Sequence, residues 1–253
     1  MLTKTHLLRY LQRKAQAVLQ PLHDGQSSLR DESLRHLDEV ISKADANAEA
    51  LRHLTVSTLF NRWLTAPHAL ASRNEVGYWL NWLGLVGEGV EVGVFKGQFS
   101  HHLLNTWEGQ RLTSVDPWKE FPTSEYIDVC NLAQEAQERN YQETLTRLEP
   151  FGGRSRALRM TSASGSHEFT NGTLDFVYLD AQHHYEAVRE DIRAWSSKLK
   201  TGGVLGGHDY LDGVISSGVY GVKQAVDELA AALRVEVIVT TEPIYKSWFI
   251  RVP

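Results

Sequence analysis

Acidic residues and glycines stand at the points of this sequence where predicted strands end. The stretch 90–100 begins with alternating valines, contains Glu91, and continues through Gly93 and Gly97 into a helical pattern. β-branched residues favour a buried strand, and glycine lets the backbone turn tightly and leaves room for a ligand. A strand, a glycine turn and a helix N-terminus are typical of a site for a nucleotide-like cofactor, with a plain strand–helix connection as the alternative.

Three further polar groups follow later strands. Asp116 ends the strand pattern 111–116, Asp180 ends the pattern 174–180, and the pair His208–Asp209 ends the pattern 202–209. Ligands bind at the carboxyl ends of strands in open parallel sheets, so these side chains are expected at one edge. Carboxylates can accept ribose hydroxyls or bind hard cations, and imidazole suits softer cations.

A histidine three residues after Asp180 is the candidate general base. An unperturbed imidazole titrates near pH 6.5, so His183 could take a proton from a hydroxyl at neutral pH. His184 is the rival for this role, or it could cap the next helix. A purely structural histidine is the other interpretation.

The elements that position these residues alternate between strand and helix from residue 88 onward. This order predicts a doubly wound, seven-stranded, mostly parallel sheet of Rossmann-like type. The short connection 240–243 predicts a hairpin, so the last strand should be antiparallel. A polar helix is expected over 124–148 and a glycine-rich loop over 210–220. The inner stripe expected for that helix is Ile127, Leu132, Ala136, Leu145 and Leu148.

Residues 1–87 are predicted to form an α-helical extension ahead of a domain at 88–253. Residues 1–20 have an amphipathic pattern, which indicates an arm packed on the body or on a second subunit, with membrane-surface binding as the alternative. Residues 29–66 are expected to be helical on either side of a solvated join near residues 45–47. The extension could act as a lid or support a homo-oligomer.

Composition excludes several classes of protein. The chain has 253 residues, a net charge of −5 and a pI of about 6.1, which does not fit a basic nucleic-acid-binding face. Its one cysteine, Cys130, excludes an internal disulfide and a cysteine-based zinc site. No apolar run is long enough for a membrane span and no secretory signal is visible, which predicts a cytoplasmic protein without stable membrane insertion.

From about residue 87 to the C-terminus, the sequence resembles the class I S-adenosylmethionine-dependent methyltransferases. The resemblance rests on Glu91-x-Gly93-x-x-x-Gly97 and on Asp116, 25 residues after Glu91. The most specific parts are 175–186 and 199–210, which are similar to a bacterial group of small-molecule and sugar O-methyltransferases, methyltransferase family 24.

The resemblance implies S-adenosylmethionine as the cofactor. It assigns Asp116 to the ribose hydroxyls and Ser162 to the adenine end. Trp118 could cover the adenine, with packing on the long helix as an equal alternative. The residues implied at the cofactor are Glu91, Gly93, Phe95, Gly97, Asp116, Trp118, Ser162 and Asp180.

The resemblance also implies a divalent cation held by Asp180, His208 and Asp209, which would lower the pKa of the acceptor hydroxyl. His208 departs from the acid or amide usual at its position, so magnesium, manganese or another ion remains open. The alternative is that the two carboxylates only bind the cofactor and loop amides. Asp180 and His183 are then the expected catalytic residues.

Three functions follow from these residues. The main one is O-methylation of a small molecule, with no nucleic-acid partner. A nicotinamide dehydrogenase is disfavoured because G-x-G-x-x-G is absent. A non-catalytic or regulatory S-adenosylmethionine-binding module, with the helical extension as its partner surface, is the third.

Overall fold

The computed structural model describes residues 27–122, 128–215 and 218–253. The predicted arm at 1–20 lies outside these residues. The chain divides into two compact units, and the second, Arg62–Pro253, contains every strand. The strands are β1 Glu88–Val92, β2 Arg111–Asp116, β3 Ser155–Arg159, β4 Leu174–Leu179, β5 Leu199–Gly207, β6 Asp212–Ile215, β7 Gly218–Gly221, β8 Ile238–Val239 and β9 Trp248–Arg251. The α-helices are α1 Ser27–Thr65, α2 Val76–Trp82, α3 Gln98–Thr106, α4 Gln134–Leu148, α5 Ser162–Ser166, α6 Tyr185–Ser196 and α7 Val222–Leu233.

The main sheet has seven strands in the order β3-β2-β1-β4-β5-β9-β8. Strands β1 to β5 pair in parallel, and β9 pairs antiparallel with both β5 and β8. The predicted fold class, with its antiparallel last strand, is therefore confirmed. Strands β2 and β3 are added on one side of β1, whereas β4 and β5 are added on the other, so the strand order reverses between β1 and β4. Ligands of doubly wound sheets bind at such a switch point.

Both faces of the sheet are covered, which explains why its central strands are largely apolar, with Glu91 and Asp175 as buried exceptions. All six residues of β4 are buried. Val177 and Leu179 join the cluster beneath α6 and α7, whereas Phe176 and Tyr178 belong to aromatic contacts that include Phe249. Strands buried on both sides read as continuous hydrophobic runs instead of alternating ones.

Two stretches differ from the helical prediction. α1 runs unbroken through residues 45–47, because alternating alanines there are strong helix formers. α4 begins at Gln134, and buries Gln137, Asn140 and Thr144 while Leu145 is 37% exposed. Of the expected apolar stripe, Leu148 is buried and Ala136 is half-buried, whereas Leu145 was placed wrongly and Leu132 precedes the helix. Ile127 lies outside the described residues.

The polar side chains fit α4 because the helix packs on the glycine turn and a loop. Thr144 lies against the Cα position of Gly97, where a larger side chain would not fit. Gln137 donates a hydrogen bond from Nε2 to the carbonyl oxygen of Cys130 (2.9 Å). This hydrogen bond joins α4 to the loop before it, which a leucine at the position of Gln137 could not do.

The expected loop at 210–220 contains a β-hairpin. β6 and β7 pair antiparallel, and Val214 lies opposite Val219. Both valines are exposed, at 80% and 60%. Three nearby glycines obscured the β-branched pattern in the sequence. Among the described residues, no helix is both long enough and apolar enough to cross a membrane.

Candidate cofactor and catalytic site

A cavity of about 600 Å³ opens at the carboxyl edge of the main sheet. It is lined by the ends of β1, β2, β4 and β5 and by the residues that follow them. Most of the residues selected from the sequence meet there. Those that line the cavity are Glu91, Gly93, Phe95, Asp116, Ser162, Asp180, His183, His208 and Asp209.

The turn between β1 and α3 depends on its two glycines. Gly93 has φ +86°, and a Cβ atom there would overlap the carbonyl oxygen of Asp180. Gly97 has φ +69°, just before the first residue of α3, and packs against Thr144 instead of lining the cavity. Positive φ is costly for residues with a Cβ, so glycine sets the path of this turn. Phe95, between them, lies at the cavity surface and is 37% exposed.

Asp116 ties the end of β2 to this turn. Its Oδ2 accepts hydrogen bonds from the amides of Val94 (2.8 Å) and Phe95 (3.0 Å), and its Oδ1 accepts from the amide of Trp118 (2.7 Å). Burial raises the pKa of Asp116, whereas the three amides oppose that shift. A carboxylate has about four acceptor positions, so it can still accept from a ligand hydroxyl.

Trp118 is fully buried and is not among the residues that line the cavity. Its ring lies 4.8 Å from that of Tyr141 in α4, and its Nε1 donates to the carbonyl oxygen of Phe95 (2.8 Å). The structure thus favours the packing alternative over an adenine cover. Trp118 supports the turn from behind.

Ser162 lines the cavity beside Asp191, a carboxylate that was not selected from the sequence. Its hydroxyl donates to Oδ1 of Asp191 in α6 and accepts from Nε1 of Trp195 (2.9 Å). Burial raises the pKa of Asp191 to about 6. Ser162 therefore holds Asp191 in place at this end of the cavity.

Glu91 is almost completely buried beside the turn. The hydroxyl of Ser100 donates to its Oε2, and Ser100 Oγ lies 2.8 Å from Ser114 Oγ. Burial raises the pKa of Glu91 to about 8, so the carboxyl is largely protonated at neutral pH. This acid is a fixed part of the cavity wall.

Arg73 enters the cavity from the segment before β1. Its NH1 atom donates to Oδ2 of Asp180 (3.0 Å), and its guanidinium lies 4.9 Å from the ring centre of Phe99. Burial raises the pKa of Asp180, while His208 and Arg73 work in the opposite direction. Asp180 thus has a cationic partner from the segment before β1.

His183 lies between two carboxylates. Its Nδ1 is 3.1 Å from Oδ2 of Asp128, and its Nε2 is 3.0 Å from Oδ2 of Asp209. The Nε2 contact is close but lacks the geometry of a directed hydrogen bond. Desolvation lowers the pKa of His183, but the two carboxylates outweigh it and raise that pKa to about 10.

Tyr220 covers the other side of this cluster. Its ring stacks on the imidazole of His183 at 4.9 Å and an angle of 22°. Burial raises the pKa of Asp209, but its close contacts with His183 and His208 dominate and hold that pKa well below its usual range. The free protein therefore has an imidazolium–carboxylate cluster at neutral pH.

The donor set fits a divalent cation, with one change from the predicted ligands. One ligand atom each from Asp180, His183 and Asp209 lies within 4.8 Å of the others. His208, the predicted third ligand, has Nδ1 3.2 Å from Asp209 and 3.7 Å from Asp180. His208 instead contacts both carboxylates from beside the cluster.

Arg73, Asp128 and Asp191 were not selected from the sequence. Arg73 stands in a short 3₁₀ turn and Asp128 in an irregular segment, where no periodic pattern points to an edge of the sheet. Asp191 lies in the middle of α6 among other charged residues, and only its burial distinguishes it. These contacts depend on tertiary packing that spacing along the chain does not reveal.

Comparison with known proteins bears on the family and the fold of this domain. The family model of a methyltransferase domain matches residues 90–210, slightly less than half of the chain. No curated protein sequence matches the chain. The resemblance to class I S-adenosylmethionine-dependent methyltransferases is thereby confirmed for the region that contains β1 to β5.

Two solved structures share the fold at low sequence identity. An O-methyltransferase family protein from Burkholderia thailandensis is 14% identical with a TM-score of 0.51, over 78% of this chain and 59% of its own. A candidate rRNA methylase from Clostridium thermocellum is 13% identical with a TM-score of 0.51, over 71% of this chain and 94% of its own. Both show the fold. The name of the first states methylation on oxygen, and the name of the second states rRNA as the acceptor.

Proposed function

We propose that this chain transfers a methyl group from S-adenosylmethionine to a hydroxyl group of a small molecule. The observation that carries the proposal is one cavity that contains both a cofactor-type turn and an acid–base cluster. The turn at Gly93 and the carboxylate of Asp116 lie on its β1–β2 side, and His183 with Asp209 lies on its β4–β5 side. The family match over residues 90–210 supports the cofactor.

The cofactor is proposed to lie across the strand ends. Asp116 would accept a ribose hydroxyl with the acceptor position that its three backbone amides leave free. Gly93 would leave room for the methionine part, and Asp191, held by Ser162, would face the adenine end. This arrangement brings the sulfonium methyl toward Asp180 and the cluster.

Methyl transfer to oxygen requires an acceptor hydroxyl in line with the methyl group and a group that takes its proton. His183 cannot take a proton while its Nε2 contacts Asp209 and its pKa is about 10. If the acceptor hydroxyl replaces Asp209 at Nε2, one of the causes of the raised pKa is removed. Asp128 would continue to orient the ring, and His183 could then act as base.

A divalent cation is the second way to activate the hydroxyl. Asp180, His183 and Asp209 would hold it, and such a cation lowers the pKa of a bound hydroxyl. His183 could not then be the base, because its nitrogen would be a ligand. The two routes therefore use the same cluster and exclude one another.

A small-molecule acceptor fits the charges of the cavity. Asp128, Asp180 and Asp209 lie at the end proposed for the acceptor, and carboxylates repel a phosphate backbone. The overall charge of −5 agrees. An RNA acceptor, as in the name of one structural neighbour, would require a cationic path to this end.

The experiment is a turnover assay with methyl-labelled S-adenosylmethionine and a panel of hydroxylated sugars, polyketides and phenols, read by mass spectrometry. The panel is run with chelator, with magnesium and with manganese. Methylated product from a hydroxylated acceptor supports the proposal, and loss of that product in Asp209→Ala favours the cation route over the route with His183 as base. Cofactor binding without product from any acceptor would favour the regulatory module.

A further inference from the structure

Arg73 lies on a turn that is anchored to the rest of the site. The 3₁₀ turn Arg73–Glu75 begins with Ser72, whose hydroxyl accepts a hydrogen bond from the amide of Asn74 (3.3 Å). Nε2 of His102 in α3 lies 2.7 Å from the carbonyl oxygen of Asn74. The turn is therefore fixed to the helix that follows the glycine turn. It precedes the region matched by the family model.

The guanidinium of Arg73 faces two acids at one end of the cavity. It contacts Asp180 at 3.0 Å, and the largely protonated carboxyl of Glu91 lies nearby. Arg73 rests on the ring of Phe99, which limits its rotation. A guanidinium carries five N–H donors, more than its contact with Asp180 uses. Donors therefore remain for an anionic ligand.

The two lysines that line the described cavity are placed differently from Arg73. Lys96 lies 5.3 Å from the ring centre of Phe95 and 4.0 Å from the carboxylate of Glu143. Lys119 lies 5.4 Å from the ring centre of Phe121. Among the described residues, neither lysine forms an ion pair with Asp180. A lysine also lacks the planar pair of donors with which arginine binds a carboxylate.

We infer that Arg73 binds the carboxylate of the cofactor's methionine part, while Asp180 receives its ammonium group. This inference rests on the proposed function. The methionine part is a zwitterion, and Arg73 with Asp180 offers one charge of each sign about one ion-pair distance apart. Gly93, where a Cβ atom would overlap the carbonyl oxygen of Asp180, lets the glycine turn pack directly against the backbone of Asp180 and so brings the turn beside this pair. A planar guanidinium can bind a carboxylate through two parallel hydrogen bonds.

The test is calorimetric titration with three ligands that differ in this part alone. S-adenosylhomocysteine has both charges, S-adenosyl-3-thiopropylamine lacks the carboxylate, and 5′-methylthioadenosine lacks both. We expect the wild-type chain to bind the first about 10- to 100-fold more tightly than the second, as for a charged hydrogen-bonded pair. Arg73→Met should remove this preference, while Lys119→Met, the matched cavity-lining control, should keep it.

Each result bears on one claim. If wild-type binds none of the three ligands, the proposed function itself fails. If wild-type binds S-adenosylhomocysteine but Arg73→Met keeps the full preference for it, the inference is overturned and the proposed function stands. Binding of 5′-methylthioadenosine reports that the variant is folded. If Arg73→Met loses that binding too, Arg73→Lys decides: a reduced preference supports the inference, and an unchanged one contradicts it.

Discussion

The Nε2 atom of His183 lies 3.0 Å from Oδ2 of Asp209, so the candidate base already contacts a carboxylate where an acceptor hydroxyl would bind. Asp128 contacts the opposite nitrogen at 3.1 Å. An imidazole between two carboxylates is stabilised in its charged form. The activity of this cluster therefore depends on what replaces one of these contacts.

The stability of the protein should depend on the charge of His183. Its folded pKa of about 10 lies above the usual value of about 6.5. Its contribution is therefore fully present below about pH 6.5 and is lost as the pH rises through about 10. We expect the free energy of unfolding to fall over this window by about 1–3 kcal/mol more in wild-type than in His183→Gln. Urea unfolding in the presence of chelator measures this. Equal pH dependence in the two proteins would show that His183 is not charged in the native state.

Manganese binding should distinguish two candidate ligand sets. The structure brings together Asp180, His183 and Asp209, whereas the sequence predicts Asp180, His208 and Asp209. Because His183 carries a proton in the free protein, cation binding at this cluster should release that proton at neutral pH. Electron paramagnetic resonance of Mn²⁺ should show binding that His183→Gln and Asp209→Ala abolish. His208→Ala should retain it. Loss in His208→Ala with retention in His183→Gln would restore the ligand set Asp180, His208 and Asp209.

Asp116 should matter for stability even without cofactor. Asp116→Ala removes the acceptor for three backbone amides, and we expect the free energy of unfolding to drop by about 1–3 kcal/mol. The measurement is urea unfolding without ligand. Glu88→Ala, at the other end of β1, is the control, because its pair with Arg111 is half exposed and at 3.6 Å. Equal stability of Asp116→Ala and wild-type would mean that these hydrogen bonds do not hold the turn.

Gly93→Ala should disrupt the turn, whereas Gly153→Ala should be nearly neutral. An added Cβ at Gly93 meets the backbone of Asp180, and φ is +86° there. Backbone strain and overlap together should cost at least about 2–3 kcal/mol. Gly153 has no heavy atom within 4 Å of an added Cβ and no positive φ. Thermal unfolding of both variants tests this, and similar melting temperatures would contradict it.

The strand-end acids were predictable because they follow a rule of topology. Once the alternation of strands and helices was recognised, the parallel sheet required Glu91, Asp116, Asp180 and Asp209 to share one edge. Local patterns also predicted the bounds of β2 and α7 to the residue. Strong periodicity within one element is sufficient for such predictions.

The partners of these acids were not predictable, because they come from distant segments. Arg73 reaches Asp180 across 107 positions and Asp128 reaches His183 across 55. α4 shows the same limit: its buried face is polar, since it packs on a backbone turn, and hydrophobic spacing selected Leu145 instead of Thr144. Packing between elements determines these contacts, and the periodicity of hydrophobic residues within one element carries no information about that packing.

The most direct test of the account is calorimetric titration of the wild-type chain with S-adenosylmethionine, beside Asp116→Ala. The account predicts one site with micromolar affinity in wild-type, and a loss of about 10-fold or more in the variant. Absence of binding in wild-type, with and without magnesium or manganese, would contradict the central claim that this cavity holds the cofactor.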